Sequence, residues 1–522
     1  MGECRYSCKS ADETLAWINE IVHFLAPYSS LINAHVVNFF KDRLWENVDA
    51  EWMECLRRES VQNLLLIPSG AVQDEWPTSL KEFILKLRSM VFCQEQADMS
   101  MALPGLQIAS LNSVLAQGMN VKKKHEVEIL SAVISTVANS VRADAVADVG
   151  AGQGYVAQVL AFQYQHPVIA IDACSHHGRV TDARAEKIKK YYTSQMIKSG
   201  LKAENQQDLG KPHWLSNANK KSSIVLAGLH ACGDLSVTML KTFLECKDVK
   251  AVVSLGCCYN LLSEERIEDG ESQCGFPMSH AVRSTSLSLG KRARDLACQS
   301  AERWRSLDMH AGIHNFELHA FRAAFQMVLS KYYPEIVTST PSIGRKGKAL
   351  RRRHQRRSAE SQLHLKGSTC HSRQKCPPEV PSVSETDWTL GSISEIQTLP
   401  SEIPYSERAG YEGTKSDDTF LHFENFCRSG LSHLGIKHSQ DINLQGIWKE
   451  AEPFADLVGP YWSLRAALGP LLETLILLDR LLFLQEQGSA LEACLLPIFD
   501  PNISPRNVAI IAKKIDKDIR SS

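Results

Sequence analysis

The segment Ala145–Tyr155 constrains the fold most, because an apolar strand pattern runs directly into the glycine pattern Asp-x-Gly-x-Gly-x-Gly. The pattern consists of Asp148, Gly150, Gly152 and Gly154. Glycines at alternate positions let the backbone turn sharply between a strand and a helix, and approach a ligand where a Cβ atom would collide. The segment therefore predicts a strand, a tight turn and a helix around a nucleotide-type cofactor.

The glycine spacing favours an adenosyl cofactor. A dinucleotide-binding turn would read Gly-x-Gly-x-x-Gly, whereas here the third glycine comes after a single residue and an acid precedes the first. A second predicted strand, Val168–Ile171, ends in Asp172, which lies 18 residues beyond Gly154. An acid at such a strand end accepts hydrogen bonds from ribose hydroxyls, so Asp172 predicts nucleoside binding. It does not distinguish an adenosyl cofactor from a dinucleotide.

Strand and helix patterns alternate beyond this segment. Apolar strands are predicted at Ile224–Leu229 and at Ala251–Gly256, with a helix between them. This alternation indicates an α/β fold with a parallel, doubly wound sheet. Two last strands, Ala493–Phe499 and Asn507–Lys514, are separated by a Pro-rich turn and predict a terminal hairpin that completes the sheet.

Composition changes along the chain predict four parts. Residues 1–118 show helical periodicity, residues 119–335 hold the Rossmann-like core, residues 336–418 are a disordered basic and Ser/Pro-rich linker, and residues 419–522 combine a helical insertion with the hairpin. The linker contains a basic block at 345–357. Nuclear import, RNA contact and a solvated linker all remain open for this block.

The overall composition is that of an ordinary globular protein. The chain has 522 residues and a net charge of -1, so a basic surface for nucleic acid must be local. Fifteen cysteines without a secretion signal predict reduced thiols and an intracellular location, cytoplasmic or nuclear. The apolar stretch Leu464–Leu484 is as long as a membrane span but contains four charged residues, which favours a buried amphipathic helix.

Polar and thiol side chains follow the two central strands. If these strands are neighbours in a parallel sheet, both groups face the cofactor crevice. The candidate catalytic residues are His230, Cys232, Asp234, Cys257, Cys258 and Tyr259.

Three interpretations of this cluster stay open. In the first, His230 or Asp234 is a general base and Tyr259 stacks on a substrate base. In the second, His230 and the three cysteines bind zinc, although their spacing is unusual for such a site and no metal is assigned. In the third, small cysteines merely pack at the strand ends.

Several motifs together resemble the methyltransferase-like protein 25 family, and within it the 25B branch. The resemblance spans most of the chain outside the linker. Its motifs are Glu126 in a Lys-Lys-His-Glu start, Asp148-Val-Gly-Ala-Gly-Gln-Gly154, Leu229-His-Ala-Cys-Gly-Asp234, Gly256-Cys-Cys-Tyr259, Leu477-Leu-Asp-Arg480 and Phe499-Asp-Pro-Asn-Ile-Ser-Pro-Arg506.

The resemblance implies an S-adenosyl-L-methionine-dependent methyltransferase of class I fold. It places Asp148, Gly150, Gly152, Gly154 and Asp172 on the cofactor positions. RNA, ribosomal or transfer, is the expected acceptor, since the His-x-Cys-Gly and Cys-Cys elements are also similar to a tRNA 2′-O-methyltransferase family. DNA is not expected as a partner, membrane contact is expected to be peripheral or absent, and a protein partner is left open.

The 25B branch is also named for a ribosomal RNA adenine dimethylase domain, but the residues disfavour that reaction. Adenine dimethylases place an Asn-Leu-Pro-Tyr-like element after the fourth strand to hold a flipped base. Here that place holds the residues from His230 to Asp234. Two further hypotheses are a non-catalytic scaffold with the same fold and an NAD-dependent oxidoreductase.

Overall fold

The computed structural model describes residues 6–198, 223–264, 274–285, 287–338, 415–436 and 442–515. The basic block at 345–357 and most of the predicted linker lie outside these ranges.

Six strands form one sheet in the described part of the chain, in the order β2-β1-β3-β4-β6-β5. They are β1 (Ala145–Val149), β2 (Val168–Ile171), β3 (Ile224–Gly228), β4 (Val249–Ser254), β5 (Leu491–Pro497) and β6 (Val508–Lys514). The first four strands are parallel, and β6 runs antiparallel to both β4 and β5. The predicted α/β, Rossmann-like fold and its terminal hairpin are confirmed.

The strand β3 is the third among the described strands. The expectation that it is the fourth strand of the fold depends on residues that are not described, and it stays a prediction. Residues 199–222, which precede β3, lie outside the described ranges.

Eighteen α-helices occur in the described residues. They are α1 (Ala11–Leu25), α2 (Ser29–Asn33), α3 (Ala50–Arg57), α4 (Val61–Leu66), α5 (Thr78–Met90), α6 (Met99–Ala102), α7 (Val121–Ser140), α8 (Tyr155–Phe162), α9 (Ser175–Lys198), α10 (Asp234–Glu245), α11 (His280–Arg283), α12 (Gly290–Ala297), α13 (Ala301–Arg305), α14 (Met309–Tyr332), α15 (Pro334–Thr338), α16 (Lys415–His433), α17 (Leu444–Ala451) and α18 (Val458–Gln485). The predicted helical character of the N-terminal segment agrees with α1 to α6.

The described residues fall into two compact units that alternate along the chain. The first comprises Met1–Asn33, Gln62–Leu307 and Trp462–Ser522, and the second comprises Ala34–Val61 and Asp308–Tyr461. The boundaries at residues 118, 335 and 418 that composition predicts stay predictions.

Helices cover both faces of the sheet in the first unit. Helices α7 and α8 share a buried cluster with Val146, Val225 and Val253 on one face. On the opposite face, a Cβ atom added to Gly228 would lie 2.9 Å from the Met239 sulfur of α10. Alternate residues of a strand point to opposite faces, so both faces of β3 are buried. This burial explains the near-continuous apolar sequence of the central strands.

The second unit is helical and has an aromatic core. Phe423 of α16 stacks on Trp448 of α17 with ring centroids 5.0 Å apart, and Phe321 of α14 lies 5.4 Å from Trp448. Aromatic side chains bury large apolar areas and prefer offset or edge-to-face contacts at such distances. The three helices are therefore held together mainly by these rings.

Helix α18 is buried, but it is not amphipathic as predicted. Its residues are buried around nearly the whole circumference, including Arg465, Glu473, Asp479 and Arg480 at 5%, 3%, 0% and 1% exposure. Buried charges are tolerated where polar partners or opposite charges satisfy them. No helix in the described ranges has the length and apolar character needed to cross a membrane.

Candidate functional site

The glycine turn leads from β1 into α8, as predicted. Gly150, Gly152 and Gly154 have φ angles of 76°, 56° and 70°, a region that most residues with a Cβ atom avoid. A Cβ atom added to Gly152 would meet no atom within 4 Å. The turn at Gly152 therefore faces open space, where a ligand can approach the backbone.

The other two glycines serve close packing within the protein. A Cβ atom at Gly154 would collide with the side chain of Thr181 in α9, and one at Gly150 would lie 3.1 Å from Leu235 of α10. The Thr181 hydroxyl also donates a 3.2 Å hydrogen bond to the Gly152 carbonyl. Helices α9 and α10 thus hold the turn from two sides.

Asp172 lies beside the glycine turn, immediately after β2. Its carboxylate accepts hydrogen bonds of 2.8 Å from the N–H groups of Gly152 and Cys174, and lies 3.0 Å from the His177 ring. Burial opposes ionisation, but these N–H groups and His177 together lower the pKa of Asp172 below its ordinary value. The carboxylate is therefore charged and is held at the rim of the open space beside Gly152.

Asp148 has a different environment, because its side chain is only 2% exposed. It accepts a 3.1 Å hydrogen bond from the Ala157 N–H in the first turns of α8. Burial raises its pKa to about 7, and the neighbouring charge of Asp172 adds to this effect. Asp148 is thus placed to hold the start of α8, and its contribution to a cofactor site is through the shape of the turn.

The carboxyl ends of β1 and β3 are adjacent, so the predicted catalytic residues lie at the same end of the sheet as the glycine turn. Asp148 pairs with Ala227 in the sheet register, and β4 follows as the next strand. The loops after β3 and β4 are joined by a 2.9 Å hydrogen bond from the Ala231 N–H to the Leu255 carbonyl. As the sequence predicted, β3 and β4 are neighbouring strands, and the residues that follow them lie side by side.

His230 projects from this end of the sheet in an unusual backbone conformation, with φ at 60°. Left-handed residues other than glycine are uncommon and cluster at functional sites. The Nε2 atom lies 3.2 Å from Glu126 Oε2, and the side chain is 31% exposed. Among the described residues, Nδ1 has no hydrogen-bond partner. One ring nitrogen is therefore fixed and the other is available.

Glu126 is the partner that fixes His230. It is buried in α7, accepts a 2.8 Å hydrogen bond from the Ser504 hydroxyl, and lies 3.2 Å from Lys123 Nζ. Burial opposes its ionisation, yet the His230 contact, Lys123 and Ser504 lower its pKa to about 2. Sequence reasoning used Glu126 only as part of a resemblance and missed this function. Glu126 precedes His230 by 104 residues, so no local sequence pattern links the two, and only the folded chain brings them together.

The three cysteines predicted at the strand ends come together. Cys232 Sγ lies 3.1 Å from Cys257 Sγ and 3.2 Å from Cys258 Sγ, and the last two sulfurs are 3.5 Å apart. All three side chains are partly buried. These thiols form one cluster in which a metal ion could be held.

Asp234 and Tyr259 are placed for structural contacts. Asp234 Oδ1 accepts a 2.9 Å hydrogen bond from the Ser263 N–H, which fixes the loop after β4. Tyr259 is 2% exposed, and the guanidinium carbons of Arg480 and Arg506 lie 5.6 and 5.8 Å from its ring centroid. The prediction that Tyr259 stacks on a substrate base is wrong, because the ring is enclosed by these arginines.

A buried charged network behind the cysteines was not predicted. The Tyr259 hydroxyl donates a 3.0 Å hydrogen bond to Glu473, which also pairs with Arg506. Glu473 lies in α18 and Arg506 in the turn between β5 and β6, so the network joins segments far apart in sequence. It fixes the base of the candidate site.

Comparison with known proteins agrees with this geometry. Residues 122–265 match the family model described as a methyltransferase domain. This range includes β1 to β4, the glycine turn, His230 and the cysteine cluster. The chain contains a methyltransferase domain.

Homology extends this result over almost the whole chain. The chain is 22% identical to "Probable methyltransferase-like protein 25" of Homo sapiens over 658 aligned positions, which cover 96% of this chain and 97% of the human protein. The Mus musculus protein of the same name is 22% identical over 650 positions, with 96% of each chain covered. No solved structure matches the chain significantly. The chain is thus homologous to methyltransferase-like protein 25 over nearly its full length.

Proposed function

We propose that the methyltransferase domain uses S-adenosyl-L-methionine and transfers its methyl group to RNA. The observation that carries the proposal is the open space at Gly152 beside the charged Asp172, next to the His230–Glu126 pair. Within the homologous family, the motifs quoted above are most similar to the 25B branch. Fifteen cysteines, expected to be reduced, favour a cytoplasmic or nuclear site of action.

The glycine turn fits an adenosyl cofactor. Because a Cβ atom at Gly152 would fill otherwise open space, the backbone there is exposed to a ligand. Asp172 would accept hydrogen bonds from ribose hydroxyls, and the turn at Gly150 and Gly152 would lie against the rest of the cofactor. The cofactor supplies a methyl group on a positively charged sulfur.

His230 is the residue best placed to take a proton from the acceptor. The Glu126 carboxylate is ionised and can only accept a hydrogen bond, so His230 Nε2 carries the proton between them. Nδ1 is then left with its lone pair and can accept a proton from an acceptor hydroxyl or amine. Glu126 is a positioning residue that fixes the tautomer and the orientation of the ring.

RNA is proposed as the acceptor on the basis of the family resemblance. The lysines at the start of α7 add limited support, since Lys122 and Lys124 are 45% and 46% exposed. They also lie 3.6 and 3.7 Å from Glu126 and Glu128. These ion pairs within the helix therefore neutralise part of the positive charge of the two lysines.

The direct test is methyl transfer from radiolabelled S-adenosyl-L-methionine to pools of ribosomal and transfer RNA. We expect label in RNA with the wild-type chain, and loss of label with Gly152→Arg and His230→Ala. A matched control is Gly488→Arg, because Gly488 also has a positive φ, 75°, and open space around its Cβ position. It precedes β5 at the opposite edge of the sheet.

The outcome separates the proposal from its alternatives. Cofactor binding without product across all RNA pools would favour a non-catalytic scaffold. Label in protein with none in RNA would move the acceptor to another class of macromolecule. Tight binding of NAD in place of the adenosyl ligand would favour an oxidoreductase.

A further inference from the structure

The sulfur atoms of Cys232, Cys257 and Cys258 lie closer together than the ordinary contact distance between uncharged thiols. Their separations are 3.1, 3.2 and 3.5 Å. Carbon atoms make their best contact at about 3.5 to 4.0 Å, and sulfur is the larger atom. No disulfide links the cysteines of the described ranges. The three side chains therefore converge on a common point without being bonded.

The backbone holds this convergence in place. Cys232 follows β3, and Cys257 and Cys258 follow β4, the adjacent parallel strand. Hydrogen bonds from Ala231 to Leu255 and from Leu255 to Gly228, of 2.9 and 3.1 Å, fasten the two loops to each other. A site on such fixed loops needs little rearrangement to receive a ligand.

Buried positive charge lies next to the cysteines. The Arg480 side chain is 1% exposed, and its Nε and Nη1 atoms have no hydrogen-bond partner in the described part of the chain. Nη1 would lie 2.7 Å from a Cβ atom added to Gly256, the residue before Cys257. A buried guanidinium without hydrogen bonds at these atoms is costly unless negative charge lies nearby. The carboxylates of Asp479 and Asp234 lie near enough to interact with Arg480, and deprotonated cysteines would add to that negative charge.

We propose that Cys232, Cys257 and Cys258 bind one zinc ion through three thiolates and leave its fourth position open. Thiolates are preferred zinc ligands, with metal–sulfur bonds of about 2.3 Å. Tetrahedral geometry at that bond length separates the sulfurs by about 3.8 Å, so the site forms with movements of under about 1 Å.

The chemistry balances without an oxidant or reductant. Each cysteine loses its S–H proton to solvent as a zinc–sulfur bond forms, and no electrons are transferred. Three thiolates and Zn²⁺ carry a net charge of -1, which Arg480 can stabilise from its position beside Gly256. An open fourth position is typical of sites where water or a substrate atom binds the metal.

The site can be measured on the full-length chain independently of methyl transfer. The chain is purified under reducing conditions without chelator, and its metals are quantified by mass spectrometry. We expect about one zinc per chain. Removal of zinc by a chelator should expose three additional thiols to a thiol reagent. Added Co²⁺ should then give thiolate charge-transfer absorption that zinc abolishes.

Variants locate the ligands. Cys257→Ser and Cys232→Ser should each lower zinc content at least tenfold, whereas Cys246→Ser should leave it unchanged. Cys246 is an exposed cysteine at the opposite end of β4 from Cys257. Because a ligand variant can fail to fold, the wild-type thiol count and the cobalt spectrum decide the matter independently.

Three results would overturn the proposal. The first is a folded wild-type chain that contains no metal and takes up neither Zn²⁺ nor Co²⁺. The second is stoichiometric content of another metal. The third is a disulfide between two of the three cysteines in the protein purified under reducing conditions.

Discussion

Asp172 accepts a 2.8 Å hydrogen bond from the N–H of Gly152, so the end of β2 is joined directly to the glycine turn after β1. The acid and the glycine are 20 residues apart, and parallel pairing of β1 with β2 brings them to one end of the sheet. Because the Cβ position of Gly152 faces open space, this contact marks where a nucleoside would meet both strands.

Replacement of Asp172 by alanine should weaken binding of S-adenosylhomocysteine at least tenfold, because a charged hydrogen-bond acceptor is lost. Isothermal titration calorimetry measures the change. Asp182→Ala, an exposed aspartate in α9, should bind as the wild type does. Equal affinity of Asp172→Ala and wild type would remove Asp172 from the ribose role.

Asp148 should make folding stability depend on pH. Its pKa in the folded chain is about 7, above the ordinary value of 3.8. The folded state therefore keeps a proton that the unfolded state releases, and stability falls as pH rises towards 7. Between pH 5 and pH 8 this group should cost about 3 kcal/mol of unfolding free energy.

Urea unfolding of wild type and Asp148→Asn at the two pH values isolates that contribution. The amide retains an acceptor for the Ala157 N–H but does not titrate. We expect the difference in unfolding free energy between the two proteins to change by about 3 kcal/mol from pH 5 to pH 8. A difference that is constant with pH would contradict the assigned burial of the charge.

Glu126→Gln should lower kcat for methyl transfer about 10- to 100-fold, because an amide can donate as well as accept and no longer fixes His230 Nε2 as the hydrogen-bond donor. Affinity for S-adenosylhomocysteine should change less than about threefold, since Glu126 is not placed at the glycine turn. Glu186→Gln, on an exposed part of α9, is the control. A parallel loss of cofactor affinity would indicate that Glu126 only supports the fold.

Glu473 and Arg506 form a buried salt bridge, so replacement of one partner alone should destabilise the protein more than replacement of both. Glu473 and Arg506 side chains are 3% and 11% exposed. Glu473→Gln alone should destabilise the protein by about 3 to 5 kcal/mol, because it leaves a buried cation uncompensated. The double variant Glu473→Met with Arg506→Met should recover part of this loss in chemical denaturation. A double variant as unstable as the sum of the single variants would show that the pair is not coupled.

Local patterns were sufficient to predict the sheet and the glycine turn. Strand bounds came close, as with Val168–Ile171, because apolar runs and glycines are encoded within a few residues. The end of the sheet that unites His230 with Cys257 was also predictable, since parallel strands place their carboxyl ends together.

The environment of the site was not predictable in the same way. Glu473 meets Tyr259 across 214 positions in sequence, and no local pattern encodes that contact. The expectation that Tyr259 is free to stack was wrong for the same reason, because its enclosing contacts are distant in sequence. Helix α18 was expected to be amphipathic because its leucines recur at helical spacing, whereas its charged residues are buried as well. Long-range packing decides burial, and the sequence shows it only indirectly.

The central claim, that the turn at Gly152 binds an adenosyl cofactor, is tested most directly by calorimetric titration with S-adenosylhomocysteine, with NAD as the comparison. We predict micromolar binding of S-adenosylhomocysteine, no comparable binding of NAD, loss of binding in Gly152→Arg and retention in Gly488→Arg. Absence of binding to the folded wild-type chain, or binding that Gly152→Arg leaves intact, would contradict the claim.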